Sequence, residues 1–572
     1  MALNNAFTNS FSDAPVNLDL QRSKFQRNFN HKTTFREGDL VPVYFDEVLP
    51  GDTFSLDSSF LVRMSTPIFP VMDNSAIDLY FFFVPNRLVW SHWQEFCGEN
   101  TSAPWTQTTE YQIPQMTFDK EVDPDFSFGA TRYSVMNYFG IPSFLSHKSL
   151  SVSDLPNRAY RLIWNEWFRD QNIQSPVYVP LDDSSRSFAK NSDLSKDYGG
   201  LPLKVGKFHD YFTSCLPFPQ KGPSVTLSLG SLAPVISGST NPDLTSSIPA
   251  NTIRFVTVAR GEDSGYHSLL FDSTGQAGSA VLSPAGASAD KVTLGGISNV
   301  IFANQYADLS QATATTINEL RQAFAIQRLY EKDSRGGTRY RELLKAHFGV
   351  TAPDARVQVP EYLGGCRVPI NINQVLQTSS SDATSPQGNT AAYSCTTDSR
   401  SLFTSSFVEH GMLIGLACVR VEHSYCQGVE RYWSRKRRFD FYWPTLANIG
   451  EQAVLKKEIF ASGNAVVDEQ AFGYQEAWAD YRYKPNRLSG EFSVVNSGPG
   501  GFSSSLGQAW TYMDVYSSAP TLSDSWIREG ENNVAQTLAV QGEPQFIADF
   551  YFKVGTVRPM PVYSVPGLID HH

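Results

Sequence analysis

Asp78-Leu-Tyr-Phe-Phe-Phe-Val84 is a continuous, largely apolar run of strand length, closed by the turn signal Pro85-Asn86. A strand with one wet face alternates polar and apolar residues; one buried on both faces does not need to. Gly411-Met-Leu-Ile-Gly-Leu-Ala-Cys-Val-Arg-Val421 reads the same way near the other end of the chain. Both fall far short of the roughly 20 residues needed to span a bilayer, so they are core strands rather than membrane segments. Other β-like runs flank them, Leu40–Val48 and Ser59–Met64 before and Asp549–Val557 after, separated by signals such as Pro50-Gly51 and Pro67, and the first run itself extends back to Ile77. Strands at both ends with a long excursion between them predict one large β-sandwich. Its sheets must pair N-terminal with C-terminal strands, as in a jelly roll.

Helices interrupt this pattern. Arg87–Cys97 places Val89, Trp93, Phe96 and Cys97 on one face and stops at Gly98. Tyr160, Ile163, Trp164, Trp167 and Phe168 follow the spacing of an amphipathic helix. Thr316-Ile-Asn-Glu319 is a capping-box pattern opening a helix to about Tyr330, with Ile317, Leu320 and Phe324 inward. A second helix, about Arg339–Phe348, turns Tyr340, Leu343, Leu344 and Phe348 inward and ends at Gly349. The chain therefore divides into an N-terminal arm at 1–36, a first part of the sandwich with helical insertions at 37–223, an insertion at 224–312, and the helical pair with the remaining strands at 313–572. The insertion is rich in Ser, Thr, Gly and Ala, yet it keeps Ile, Leu, Val and Phe throughout, as a folded surface insertion does and a linker does not. Thr378–Ser401 has almost no core-forming residues and reads as an exposed loop.

Among the 572 residues, charged side chains are 18%, low against roughly 25% in ordinary globular chains, and aromatic ones are 13%. Surface that carries so little charge is suited to meeting other subunits rather than water. The net charge of −11 excludes gripping nucleic acid through the overall field, while leaving a local basic face open. Six cysteines without a C-x-x-C pair predict free, mostly buried thiols in a reduced compartment. Met1 to Ser12 carries no secretory pattern, and the chain reads as soluble.

Motifs for nucleotide, metal or nucleophilic chemistry are absent from the sequence. Cys418, His423 and Cys426 have no fourth ligand at a convincing spacing, so a buried-thiol reading is preferred to a metal site. Glu409-His410 is read as a chance pair rather than a general base. Carboxylates are plentiful, and a glycosidase-type pair is not singled out. The segment with most physical content is Arg431-Tyr-Trp-Ser-Arg-Lys-Arg-Arg-Phe-Asp-Phe-Tyr-Trp443, with five basic residues, one acid and six aromatics. Interleaved cations and rings suit a single-stranded nucleic acid, cations on phosphate and rings on bases. Arg431, Trp433, Arg435, Lys436, Arg437 and Arg438 are the candidate DNA contacts. Against this, the alternation of Phe439, Phe441 and Trp443 reads as the inward face of a strand. Arg22, Lys24, Arg27, Lys32 and Arg36 make the N-terminal arm a second, basic candidate.

Longer word-like matches carry a resemblance. Leu49-Pro-Gly-Asp-Thr-Phe54, Thr66-Pro-Ile-Phe-Pro-Val-Met-Asp-Asn74, Phe81-Phe-Phe-Val-Pro-Asn-Arg-Leu-Val-Trp90, Ser334-Arg-Gly-Gly-Thr-Arg-Tyr340 and Pro360-Glu-Tyr-Leu-Gly-Gly365 are five of them. Phe439-Asp-Phe-Tyr-Trp443, Tyr481-Arg-Tyr-Lys-Pro485, Arg558-Pro-Met-Pro-Val-Tyr563 and Val565-Pro-Gly-Leu-Ile-Asp570 complete the set. In order along the chain, they resemble the major capsid proteins of gokushoviruses, small single-stranded DNA phages of the Microviridae. The resemblance implies a mainly β fold, an eight-stranded antiparallel jelly roll with long insertions carrying several helices. It implies a structural protein of the virion that assembles with copies of itself into a T=1 icosahedral shell around circular single-stranded DNA. It further implies that 224–312 forms threefold protrusions touching a host receptor, and it offers no catalytic motif and no cofactor. Subunits of −11 cannot balance packaged phosphates, so a small basic packaging protein or cations are expected beside the DNA. The alternative from another class is a β-rich carbohydrate-active enzyme or lectin.

Overall fold

The computed structural model describes residues 21–100, 110–119, 133–142, 149–187, 200–225, 317–379, 386–495, 506–530, 532–540 and 544–563, and only short strands within 226–316. Residues 1–20 of the arm, Thr316 and the Val565–Asp570 motif lie outside the described residues. Nine strand segments build two facing sheets: β1 (Ser23–Gln26), β2 (Phe29–Phe35), β3 (Val41–Val48), β4 (Thr53–Met64), β5 (Ser75–Pro85), β6 (Glu361–Pro369), β7 (Thr396–Ser406), β8 (Gly411–Val421) and β9 (Phe546–Arg558). β1 and β2 lie end to end along the same edge of β9, which continues to β4 and then β7. The second sheet runs β6–β5–β8–β3, and every pairing in both sheets is antiparallel. Between β2 and β9 the chain crosses from one sheet to the other at every step except β5 to β6. N-terminal strands thus pair C-terminal ones, the arrangement of a jelly roll.

The two apolar runs are the central pair of the second sheet, in unbroken register from Gly411 opposite Pro85 to Val421 opposite Ser75. Period two sends their side chains alternately to two cores. Ile77, Leu79, Phe81 and Phe83, with Leu413, Ala417, Val419 and Val421, face the first sheet inside the sandwich. Phe82 and Val84, with Met412, Ile414, Leu416 and Cys418, face outward and are covered by helix α1 (Leu155–Ile163) through Ala159, Tyr160 and Ile163 and by Trp164. Double burial explains why neither run alternates. Gly415 matters for a close approach: a Cβ there would lie 2.6 Å from the Phe81 ring and 2.7 Å from Tyr44.

Several expectations are corrected. Arg87–Cys97 is not one helix but a 3-10 turn at Asn86–Leu88 and a short helix at Trp93–Phe96. Thr396–Ser406, placed mostly in a loop by its polar composition, is an edge strand whose Ser and Thr side chains bond to those of β4. Thr53–Ser406 (2.8 Å) and Thr404–Ser55 (3.2 Å) are such pairs. The helix Ile317–Gly336 forms, but Ile317, Leu320 and Phe324 remain exposed, as do Tyr340 and Phe348 of the following helical segment. An apolar stripe specifies which face needs cover and not which molecule supplies it.

The chain separates into two compact units, 1–221 with 331–572, and 222–330. Within the second, Thr252–Ala259 and Glu262–Leu270 form a hairpin inside a four-stranded antiparallel sheet. In the first unit, loops between strands are tied by a buried ionic cluster. His423 bonds Asp514 through Nδ1 (2.9 Å) and Glu529 through Nε2 (3.0 Å), while Lys207 reaches Asp514 (3.0 Å) and Asn533 donates to it (2.7 Å). Burial lowers the His423 pKa, but Asp514 and Glu529 outweigh it and push it up to about 10. Glu37, raised well above the ordinary carboxyl value by burial and then by the Glu529 charge, caps the Val534 N–H at 2.9 Å.

Candidate nucleic-acid interface

Arg431–Trp443 is neither strand nor loop. It is two 3-10 turns, Arg431–Ser434 and Arg438–Asp440, followed by a third at Pro444–Leu446. The predicted strand fails because the Asp440 carboxylate accepts the backbone N–H groups of Lys436 (2.8 Å) and Arg437 (2.7 Å), folding the chain back on itself. Those two donors hold the Asp440 carboxyl below its usual range. The rings that alternation would have turned inward point out: Trp433 and Phe439 are each 71% exposed, with Phe441, Tyr442 and Trp443 exposed beside them.

The six candidate contacts separate into two groups. Arg431 donates to the Ala453 carbonyl (2.8 Å) and lies against buried Glu458 (3.4 Å), whose other oxygen accepts from Tyr211 (2.7 Å). Burial raises the Glu458 pKa and Arg431 opposes that rise. Arg435 is bound to Asp480 beneath the rings of Tyr481 (4.5 Å) and Phe441 (5.5 Å). Both arginines are structural supports. Lys436, Arg437 and Arg438 are exposed with Trp433, and the Arg438 guanidinium stacks 4.8 Å from the Trp443 ring, whose Nε1 donates to the Arg438 carbonyl (3.0 Å).

Neighbouring residues that sequence reasoning did not place at this site complete the face. Trp478 sits at φ 68°, a left-handed conformation unusual for a bulky residue, and its Nε1 donates to the Leu446 carbonyl at 2.8 Å. It packs between Tyr442 and Tyr481 and so fastens the two turns together. Exposed Tyr481, Tyr483, Lys484 and Arg487 follow, with Lys484 (3.7 Å) and Arg487 (3.3 Å) sharing Glu430. The Tyr-Arg-Tyr-Lys wording at 481–484 was the available signal. The resulting face offers ring edges and cations, suited to stacking on bases or to burial against another protein.

Other candidates are used internally. On the arm, Arg22 donates to the Gly51 carbonyl, Arg27 pairs with Asp46, and Lys32 lies 3.5 Å from Asp549. Lys24 sits exposed on β1, and the Arg36 guanidinium covers the Tyr133 ring at 5.5 Å. His423 belongs to the ionic cluster, and Cys418 and Cys426 are free thiols. Glu409 pairs with Arg87 at 2.7 Å, and His410 packs edge-on against Trp93. Among the described residues, no group of three or more His, Cys, Asp or Glu side chains could hold a metal ion, and no helix is long and apolar enough to cross a membrane.

Residues 15–568 match the family described as capsid protein (F protein). The chain is 40% identical to the capsid protein VP1 of Bdellovibrio phage phiMH2K over 562 residues, covering 98% of this chain and 97% of that one. It is 38% identical to the capsid protein VP1 of Chlamydia phage 1 over 605 residues, covering 98% of each. Capsid protein VP1 of Spiroplasma virus 4 is likewise 38% identical, over 96% of both chains.

Proposed function

The chain belongs to the capsid protein (F protein) family and is a structural protein of a phage shell rather than an enzyme; from that premise we propose that copies of it close into a T=1 icosahedral shell around circular single-stranded DNA. The observation that supports this most is the coincidence of a large, deeply buried sandwich core with an unusual amount of exposed aromatic surface. Phe439, Trp433, Tyr340 and Phe348 are examples. A monomer gains nothing from such surface, whereas repeated, individually modest contacts around fivefold, threefold and twofold axes use it. In this reading 224–312 forms the protrusions at the threefold axes and meets the host receptor. Trp433, Lys436, Arg437 and Arg438 contact the DNA, while Arg431 and Arg435 hold them in place. A small basic protein or cations balance the remaining phosphate charge, and assembly takes place in the host cytoplasm.

Negative-stain imaging of the expressed full chain tests the assembly. Uniform hollow particles or ring-shaped intermediates are expected, and a persistent monomer would overturn it. Mass spectrometry and elemental analysis of DNA-filled particles test the charge argument: finding neither a small basic protein nor excess cations would sink it.

A further inference from the structure

A cavity of about 410 Å³ opens beside the Arg431–Trp443 turns, within the usual range of small-molecule pockets, about 300–1,000 Å³. Residues of two chain segments, 430–435 and 481–487, line its mouth, and its floor is the buried group Tyr211, Phe212 and Tyr425. Three carboxylates line it, and they differ in what remains open to a ligand. Glu458, 2% exposed, is held by Arg431 (3.4 Å) and accepts from the Tyr211 hydroxyl (2.7 Å). Asp480, 16% exposed, is bound by the buried Arg435. Glu430, 31% exposed, stands at the mouth and makes no side-chain bond to the turn it begins. Its two oxygens each meet one exposed cation at longer range, Oε1 with Arg487 at 3.3 Å and Oε2 with Lys484 at 3.7 Å. A carboxylate has about four lone-pair positions, so these contacts leave room for further donors.

Rings at the mouth are open as well. Tyr483 is 52% exposed, and neither its ring nor its hydroxyl has a partner among the described residues. Trp433 is more exposed still and, among the described residues, meets one other ring, Tyr432, with centroids 5.5 Å apart and planes at 83°. Tyr481, by contrast, is covered by the Arg435 guanidinium at 4.5 Å. Open rings lining the same cavity as a carboxylate flanked by cations bring a stacking surface, acceptors and donors together.

We propose that this cavity receives one unpaired guanine of the DNA strand, its face on the Tyr483 ring and its Watson–Crick edge on Glu430. In a single strand that edge is free to be read. Guanine alone among the four bases carries two adjacent N–H donors there, N1–H and the N2 amine, which match the two oxygens of a carboxylate as a bidentate pair. Beside them lies the O6 acceptor, for which Lys484 or Arg487 supplies the donor. Cytosine and adenine place a ring-nitrogen acceptor next to their amine, and thymine flanks its single N–H with two carbonyls. Each of these sets a lone pair against the carboxylate. The mixed charge of the cavity suits a neutral base and not a phosphate. The base belongs to a strand rather than to a free nucleotide. The segment that lines the cavity with Tyr432 and Trp433 runs on into exposed Lys436, Arg437 and Arg438, which suit the neighbouring phosphates. This inference rests on the reading that the shell encloses single-stranded DNA.

Fluorescence anisotropy of a fluorescein-labelled 12-mer oligothymidylate on the full-length protein at low salt, compared with the same 12-mer carrying one central guanine, tests it. The guanine is expected to strengthen binding roughly tenfold, the scale of one bidentate base contact. A central inosine, which lacks the N2 amine, should lose most of that gain. Glu430→Gln should erase the guanine preference while still binding the plain 12-mer, and Tyr483→Ala should weaken the guanine 12-mer roughly tenfold through lost stacking. Both side chains reach solvent, unchanged unfolding midpoints show that the variants fold, and the inosine comparison needs no variant. If a central adenine binds as tightly as guanine, the gain is stacking alone and the role of Glu430 is overturned. If deoxyguanosine monophosphate displaces the guanine 12-mer mole for mole, the base site stands and the strand is overturned. If guanine adds nothing while Arg437→Glu with Arg438→Glu abolishes binding, the guanine site is overturned and the DNA-enclosing reading survives. If the wild type binds no oligonucleotide and its particles carry no DNA, that reading falls and the guanine site with it.

Discussion

Replacing His423 by glutamine should lower the stability of the folded chain by about 3–5 kcal/mol at neutral pH, the usual result of removing one partner from a buried ionic group. The imidazole is 1% exposed and lies 2.9 Å from Asp514 and 3.0 Å from Glu529. Glutamine can still donate one hydrogen bond but brings no charge, so Lys207 alone must answer two buried carboxylates. The pH dependence follows from the direction of the shift. A folded-state pKa of about 10, above the ordinary 6.5, means the contribution is fully present below pH 6.5 and is lost as pH rises toward 10. Across that window the wild type should lose about 1.4 kcal/mol per pH unit from this one proton. The penalty of His423→Gln should therefore be largest below about pH 6.5 and shrink steadily toward pH 10. Urea unfolding followed by tryptophan fluorescence, repeated across the window, measures both. Equal midpoints for variant and wild type at neutral pH, or parallel stability-versus-pH curves, would refute the claim that a charged His423 holds these loops together.

Other outcomes follow from the packing. Gly415→Val should destabilise by about 1–3 kcal/mol through overpacking against Phe81 and Tyr44, read as a lower unfolding midpoint. Phe81→Ala, at the centre of the sandwich core, should remove about 3–5 kcal/mol and abolish assembled particles before it abolishes expression. Asp480→Ala leaves the Arg435 guanidinium, 6% exposed, facing only rings, and should cost about 3 kcal/mol. Arg437→Glu with Arg438→Glu should leave the unfolding midpoint unchanged and reduce the slope of log affinity against log salt for single-stranded DNA by about 1.4, or 0.7 for each lost phosphate contact.

The central strands were legible because burial on both faces leaves an unbroken apolar run, and few other structures do at that length. Phe439, Phe441 and Trp443 show the limit of the same logic. Their alternation is genuine, but one carboxylate two residues from Arg438 closes a turn and turns the rings out. Ser and Thr concealed β7, because an edge strand buries little and pairs through its backbone and hydroxyls. The basic face was half visible: its cations cluster in sequence, while its second half arrives from Trp478–Arg487 through tertiary contacts, and the Tyr481–Lys484 wording marks that segment without placing it beside the first.

Sequence alone determined the doubly buried strands, the pairing of the chain's two ends and the family, because apolar runs and multi-residue wording survive without coordinates. Tertiary structure decided which charges are available. Arg431, Arg435, Arg27 and Lys207 are indistinguishable in sequence from Arg437 or Lys345, but the former are held by carboxylates or carbonyls from distant segments. The free energy of a charge depends on what lies within a few ångströms of it, and folding sets that neighbourhood.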